Sequence, residues 1–431
     1  MIPAPAQAAV QQAIAAVWRL ESARIVAVVM RMVRDLGIAE DLAQDALVAA
    51  LQDWPKNGIP DNPGAWLTAT AKRRALDFFR HRNMSDAHHQ AIGEDMVALQ
   101  AATVPDFVDA LDAARQDRIG DDLLRLIFTA CHPVLVIDAR VALTLKLLGG
   151  LSTPEIARAF LQSEAAVAQR IVRAKRSLAD ARVPFEIPIG DALDERLAAV
   201  LEVVYLIFNE GYAATSGDHW MRPELCNEAL RLGRVLAELA PQHAESHGLV
   251  ALMEIQASRI AARAAGDGRP ILLADQDRGR WDRLLIRRGL TALARAQSLG
   301  GGRGPYQLQA AIAACHARAT RFEDTDWGAI VDFYGALKQI NDSPVVELNR
   351  AVAVAMFQGP ASGLELVERL RDHPSLRAYP WLPAVRADLL IRLGRSEEAC
   401  HELRRAAALT ANLQEKTLLE QRIAELTVRT Q

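Results

Sequence analysis

The chain has 431 residues and a mass of 47.1 kDa, more than one hydrophobic core ordinarily serves, so two or three domains are expected. A composition that is 51% hydrophobic and 24% charged excludes a largely disordered chain. With 50 Lys and Arg against 53 Asp and Glu, the protein is not basic over its whole surface, and any nucleic-acid binding must come from local patches.

Only 5% of residues are aromatic while Ala and Leu abound, which favours helix over strand. Helical period recurs in almost every segment, no alternating strand run appears, and the expected class is all-α. The N-terminus, Met1-Ile-Pro-Ala-Pro5, has no basic leader, and the apolar run Ile25–Met30 is bounded by Arg24 and Arg31. That run falls far short of the ~20 residues of a membrane span, so a cytoplasmic protein with no membrane partner is expected. Cys131, Cys226, Cys315 and Cys400 are too scattered for a disulfide frame, and neither Cys131-His132 nor His88-His89 has further ligands at metal-site spacing. No metal or cofactor is expected.

In chain order, a first helical block occupies residues 1–82. Ala39-Glu-Asp-Leu-Ala-Gln-Asp45 opens an amphipathic helix with an acidic start. Trp54-Pro55 through Pro63 reads as a proline-rich loop, and Gly64-Ala-Trp-Leu67 begins the next helix. On that helix Leu67, Ala71, Ala75, Phe78 and Phe79 share a core arc, while Lys72, Arg73, Arg74 and Arg80 make a basic face with Trp66 near Arg73. A basic face with an interleaved ring suits melted nucleic acid, whose bases stack on aromatics. Packing of Trp66 against a neighbouring helix suits the residue equally well.

An acidic linker at 83–120 follows, its Asp and Glu outnumbering Arg115 and Arg118. Residues 121–184 read as three helices, the last two forming a helix-turn-helix. Ser152-Thr-Pro-Glu155 is a capping box, and Ser163 caps a second helix running to about Asp180. At ~100° per residue, Val167, Ile171, Ala174 and Leu178 fall on one arc. Gln169, Arg170, Arg173 and Arg176 fall on another, with the small Ala165 and Ala166 at its start. One face for a core and one basic face free to approach closely is what a recognition helix in a major groove requires.

Val183-Pro-Phe-Glu-Ile-Pro-Ile-Gly190 reads as a linker, and residues 185–431 as helix after helix. A helix ending at Gly359 and a comparable one ending at Gly394 are each followed by a short helix with small residues (Ala361 and Gly363; Ser396 and Ala399). A helical pair recurring after about 34 residues suggests a tetratricopeptide-like array, with a plain helical bundle as the alternative.

Taken together, these motifs resemble bacterial RNA polymerase sigma factors of the sigma-70 family, extracytoplasmic-function type. Ala39–Asp45 looks like the polymerase-binding segment of region two, and Ala65–Asp77 like the helix that recognises and melts the minus-ten element. Leu143–Leu178 looks like region four, which reads the minus-thirty-five element. The resemblance implies core RNA polymerase and promoter DNA as partners and no enzymatic activity. It assigns polymerase binding to Glu40, Asp41, Gln44 and Asp45. It assigns DNA binding to Trp66, Lys72, Arg73, Arg74, Arg80, Gln169, Arg170, Arg173 and Arg176. It also implies that loop 55–63 holds a flipped base and that the acidic linker crosses the polymerase cleft.

Such sigma factors usually end soon after region four, but this chain continues for about 245 residues. Phe208–Tyr212, Asp275–Arg278 with Trp281-Asp282, and Gly304–Ala314 resemble the tail of an extended subgroup. The tail is expected to regulate activity, docking on the DNA-binding half through Phe208–Tyr212 and Trp281 or meeting a separate regulatory protein. Core burial is the competing role for those aromatics. A stand-alone helix-turn-helix regulator with a sensing domain is the alternative function, but it would not need the acidic helix or the Trp-basic helix.

Overall fold

A computed structural model describes residues 4–86, 122–160, 162–214, 216–266, 269–300 and 303–430. Most of the acidic linker therefore lies outside the described residues. Three long helices come first: α1 (Ala4–Val33), α2 (Leu36–Asn57) and α3 (Pro63–Asp86). Every residue of Ile25–Met30 is buried, because α2 and α3 both pack on α1. Arg34 turns the chain through a left-handed conformation (φ 55°). Asp35 then caps α2 by accepting a 2.9 Å hydrogen bond from the Ile38 N–H.

The expected loop at 55–63 is shorter than its prolines suggested. α2 continues through Pro55 to Asn57, leaving 58–62 as the connection. Pro55 sits in the last turn, where the hydrogen bond it removes is one of few remaining, and the buried Trp54 anchors that turn from the other side. Asn62 caps α3, accepting from Ala65 N–H at 3.0 Å, with Pro63 at the first helical position.

The second block comprises a helix over 122–130, called α4, then α5 (Ile137–Leu147), α6 (Thr153–Ala159) and α7 (Glu164–Asp180). One more helix is present than the three expected. The capping box forms as expected: Ser152 N–H donates to Glu155 Oε2 at 2.7 Å, and Glu155 N–H donates back to Ser152 Oγ at 3.4 Å. Ser163 Oγ accepts from Ala166 N–H at 3.2 Å and opens α7, whose buried residues are Val167, Ile171, Ala174 and Leu178.

The chain divides into two units, Met1–Val203 and Val204–Gln431, and the division falls within α8 (Asp191–Tyr212). The second unit continues with α9 (Pro223–Leu239), α10 (Ala244–Ala257), α11 (Arg283–Ser298), α12 (Pro305–Arg318), α13 (Trp327–Ile340), α14 (Pro344–Gln358), α15 (Pro360–Leu370), α16 (Trp381–Arg392), α17 (Ser396–Leu409) and α18 (Leu413–Thr430). Helix content thus follows the all-α expectation. The strands among the described residues are a parallel pair of two-residue segments, Ser216–Gly217 and Ala411–Asn412.

The repeated segments near the C-terminus fold as helical hairpins. Gly359 (φ 101°) reverses the chain between α14 and α15, and at Gly363 a Cβ would lie 2.4 Å from the Ala355 Cβ, so the two helices meet through their smallest residues. Ala399 is likewise buried where α17 packs on α16. In an open array each repeat touches only its neighbours. Here Asn412 Nδ2 donates to the carbonyls of Ala214 and His219, both at 3.0 Å, tying the last helices of this unit to its first loop.

Candidate polymerase and nucleic-acid interface

α2 divides its acidic residues between two environments. Asp41, Gln44 and Asp45 are exposed, as a polymerase-binding face requires. Glu40 departs from the expectation that it too is open to a partner: it is only 6% exposed. Lys175 Nζ of α7 lies 2.5 Å from its Oε2, Lys146 Nζ of α5 lies 3.8 Å from its Oε1, and Gln44 Nε2 donates to Oε1 at 3.1 Å. A carboxylate can be buried at this position because two ammonium groups compensate it. The amphipathic pattern of α2 placed Glu40 beside Ala39 and Ala43 but could not show that residues more than a hundred positions away would cover it.

Two further ion pairs join the same blocks. Asp122, fully buried, lies 3.0 Å from Arg31 of α1 and 2.8 Å from Arg125 of its own helix. Arg19 of α1 lies 3.1 Å from Glu155 of α6. A cleft of about 760 Å³ between the blocks is lined by basic Arg31, Arg34, Lys175, Arg176 and Arg182.

On α3 the division between core and basic face is as expected. Leu67, Ala71 and Ala75 are fully buried, Phe78 and Phe79 are half-buried, and Lys72, Arg73, Arg74 and Arg80 are exposed. Arg80 reaches Asp77 at 3.2 Å. Trp66 packs against a neighbouring helix and also lines an open groove. Its ring meets the buried Trp54 edge-on at 5.5 Å. Its other side lines a groove of about 530 Å³ together with Arg73, Arg74, Gln52, Lys56 and Asn57. A flat ring beside two guanidinium groups can stack a base while the cations hold phosphate.

On α7, Gln169, Arg173 and Arg176 are exposed. Arg176 lies 3.6 Å from Asp180, one turn along. Arg170 is partly buried, donating to Gln162 Oε1 at 2.7 Å and lying 3.9 Å from Asp138. These contacts fix its position across the helix-turn-helix. They were not legible in the sequence, because Asp138 belongs to a different helix.

Residues 17–84 match the family model for sigma-70 region 2, and residues 125–178 match that for sigma-70 region 4. The chain is a sigma factor of the sigma-70 family, extracytoplasmic-function type. This sigma factor also carries a C-terminal extension, of which residues 196–297 match a family of unknown function, DUF6596. It is 42% identical over 399 residues to the uncharacterized protein R00370 of Rhizobium meliloti (strain 1021), covering 92% of each chain. It is 29% identical over 171 residues to the probable ECF RNA polymerase sigma factor SigI of Mycobacterium tuberculosis, covering 39% of this chain and 56% of that one. Sigma factors bind core RNA polymerase and promoter DNA and are not enzymes. Among the described residues, no helix is long and apolar enough to cross a membrane.

The tail residues expected to dock elsewhere are committed to their own unit. Phe208 is 1% exposed and Trp281 is 3% exposed, the latter within a core shared by α10, α11 and α12. Core burial, the competing role, is therefore that of Phe208 and Trp281, whereas Asn209 of the same motif is exposed and Tyr212 half-buried.

Proposed function

We propose that this sigma factor, when free of polymerase, holds its region-two polymerase-binding helix against region four, and that the C-terminal domain regulates release from that closed form. The observation that carries the reading is the burial of Glu40 against Lys146 and Lys175. A core polymerase that engages the acidic face of α2 competes with region four for that carboxylate. Opening separates the blocks and frees Glu40 to join the already exposed Asp41, Gln44 and Asp45 against a basic surface on the polymerase. Charge complementarity there sets orientation and on-rate. Trp66, Lys72, Arg73, Arg74 and Arg80 then engage the melted promoter element, and Gln169, Arg170, Arg173 and Arg176 the upstream duplex.

This reading keeps the organisation expected from the sequence, with region two at 1–82, linker at 83–120, region four at 121–184 and a tetratricopeptide-like tail at 185–431. A regulatory tail is supported by its size and by its charge. Residues 1–182 carry 21 basic and 21 acidic groups, so the net charge of -3 lies in the remainder. The tail contacts the sigma half or a separate regulatory protein rather than DNA.

Transcription by core polymerase from one promoter, comparing the full chain with residues 1–203, tests the tail. The shorter chain ends after Arg196, whose Nη2 donates to the Phe128 carbonyl at 2.7 Å and completes the region-four core. A change in promoter output or polymerase affinity is expected; unchanged values for both would remove the regulatory reading.

A further inference from the structure

Two tail motifs that DNA and polymerase binding leave unused, Phe208–Tyr212 and Asp275–Arg278 with Trp281-Asp282, come together in the second unit. The second of these lies in the irregular segment between α10 and α11, which brings three arginines into one neighbourhood. Arg263 and Arg278 are each 8% exposed. The Arg263 guanidinium lies 3.6 Å above the Tyr212 ring and 5.4 Å from the Trp220 ring, and donates to the Tyr212 carbonyl at 3.0 Å. Arg259 and Arg278 approach the Trp281 ring at 5.4 and 4.8 Å. Arg259 donates to the neutral amides of Gln276 and Gln256. Arg278 donates to the carbonyls of His316 and Ala319 and to Thr325 Oγ1.

Among the described residues, no carboxylate forms an ion pair with any of the three. The acids that influence Arg278 are Glu323 and Asp324, and Asp324 is already paired with Arg321 at 3.1 Å. The excess of positive charge is felt by His316: burial, then Arg259 and Arg278, push its pKa down to about 3. The same neighbourhood holds several buried donors without a hydrogen-bond partner, namely Arg263 Nε, Trp281 Nε1, Trp220 Nε1 and the Tyr212 hydroxyl. Indole and guanidinium N–H groups can only donate, so what satisfies them must accept. Buried cations are costly unless an anion compensates them.

We propose that this cluster is a binding site for a small oxyanion, a phosphate or carboxylate group held by Arg259, Arg263 and Arg278 with the Trp281 and Trp220 N–H groups. The ring faces of Tyr212 and Trp281 keep the guanidinium groups in place beneath it. This site is independent of the closed form of the sigma half.

The test uses the full chain, titrated with sodium phosphate or sodium succinate against sodium chloride of equal ionic strength, following thermal midpoint and tryptophan fluorescence. At least one oxyanion is expected to raise the midpoint and alter fluorescence saturably, and which one responds identifies the group. Arg263→Met is expected to weaken that binding about tenfold or more, as loss of a charge-assisted hydrogen bond does. Trp281→Phe, which removes one N–H and keeps a ring, weakens it by a smaller factor and guards against misfolding of the arginine variant. No response to either anion in the wild-type chain overturns the proposal. So does a response that both variants retain in full, which would place the anion elsewhere.

Discussion

Lys175 Nζ and Glu40 Oε2 lie 2.5 Å apart, joining α7 of region four to α2 of region two. On the proposed function, polymerase binding and the closed arrangement are mutually exclusive uses of this carboxylate. Lys175→Met keeps the length of the side chain and removes its charge. It is expected to increase affinity for core polymerase, read by fluorescence anisotropy, while leaving affinity for isolated promoter duplex unchanged within twofold. Lower affinity for core would mean that Lys175 itself contacts the polymerase.

Charge reversals on α2 are expected to separate by burial. Asp41→Lys with Asp45→Lys changes exposed groups only, so co-purification with core polymerase falls while the unfolding midpoint holds. Glu40→Lys places a third ammonium beside Lys146 and Lys175 and is expected to cost about 1–3 kcal/mol of stability by denaturant unfolding. Equal stability losses from exposed and buried reversals would contradict this division.

The α7 residues differ in what their loss does. Gln169→Ala changes promoter preference by about 1–3 kcal/mol if it reads a base edge. Arg176→Ala weakens all promoters alike and lowers the salt slope by about 1. Arg170→Ala removes the bond to Gln162 and the pairing with Asp138, so it lowers thermal stability as well as promoter binding. Binding measured over a series of promoters and salt concentrations tells these outcomes apart.

Trp66 is proposed to act in promoter melting as well as in packing. Trp66→Phe retains an edge-on contact with Trp54 and so keeps stability within about 0.5–1.5 kcal/mol of the wild type, whereas Trp66→Ala loses the contact altogether. Both are expected to slow promoter melting, measured by permanganate reactivity of unpaired thymines. Normal melting in the alanine variant would confine Trp66 to packing.

Acid is expected to destabilise the protein through two partly buried histidines. His316, at about 3, and His132, lowered by burial and by Arg196 and Arg140 to about 4, stay neutral in the fold while the unfolded chain protonates each near 6.5. Their contribution is therefore fully present above pH 6.5 and is lost as pH falls from 6.5 towards those lower values. His316→Gln should flatten the fall in unfolding free energy below pH 6.5 by up to about 1.4 kcal/mol per pH unit, measured in chloride buffers. An unchanged slope would mean that His316 protonates in the folded state.

What the sequence determined by itself was local. The Ser152–Glu155 and Ser163 caps, the buried stripe Val167–Leu178 and the basic face of α3 all follow from residues within a few turns of one another, and helical period records such relations directly. Pro55 misled because proline ordinarily breaks a helix, whereas here the helix, anchored by the buried Trp54, runs on to Asn57. The tertiary structure decided everything that joins distant segments: the cover of Glu40 by Lys146 and Lys175, the hold of Asp138 on Arg170, and the gathering of Arg259, Arg263 and Arg278 about Trp281. Each sets a charge against a partner chosen by packing, and no periodicity within one helix encodes which other helix will supply it.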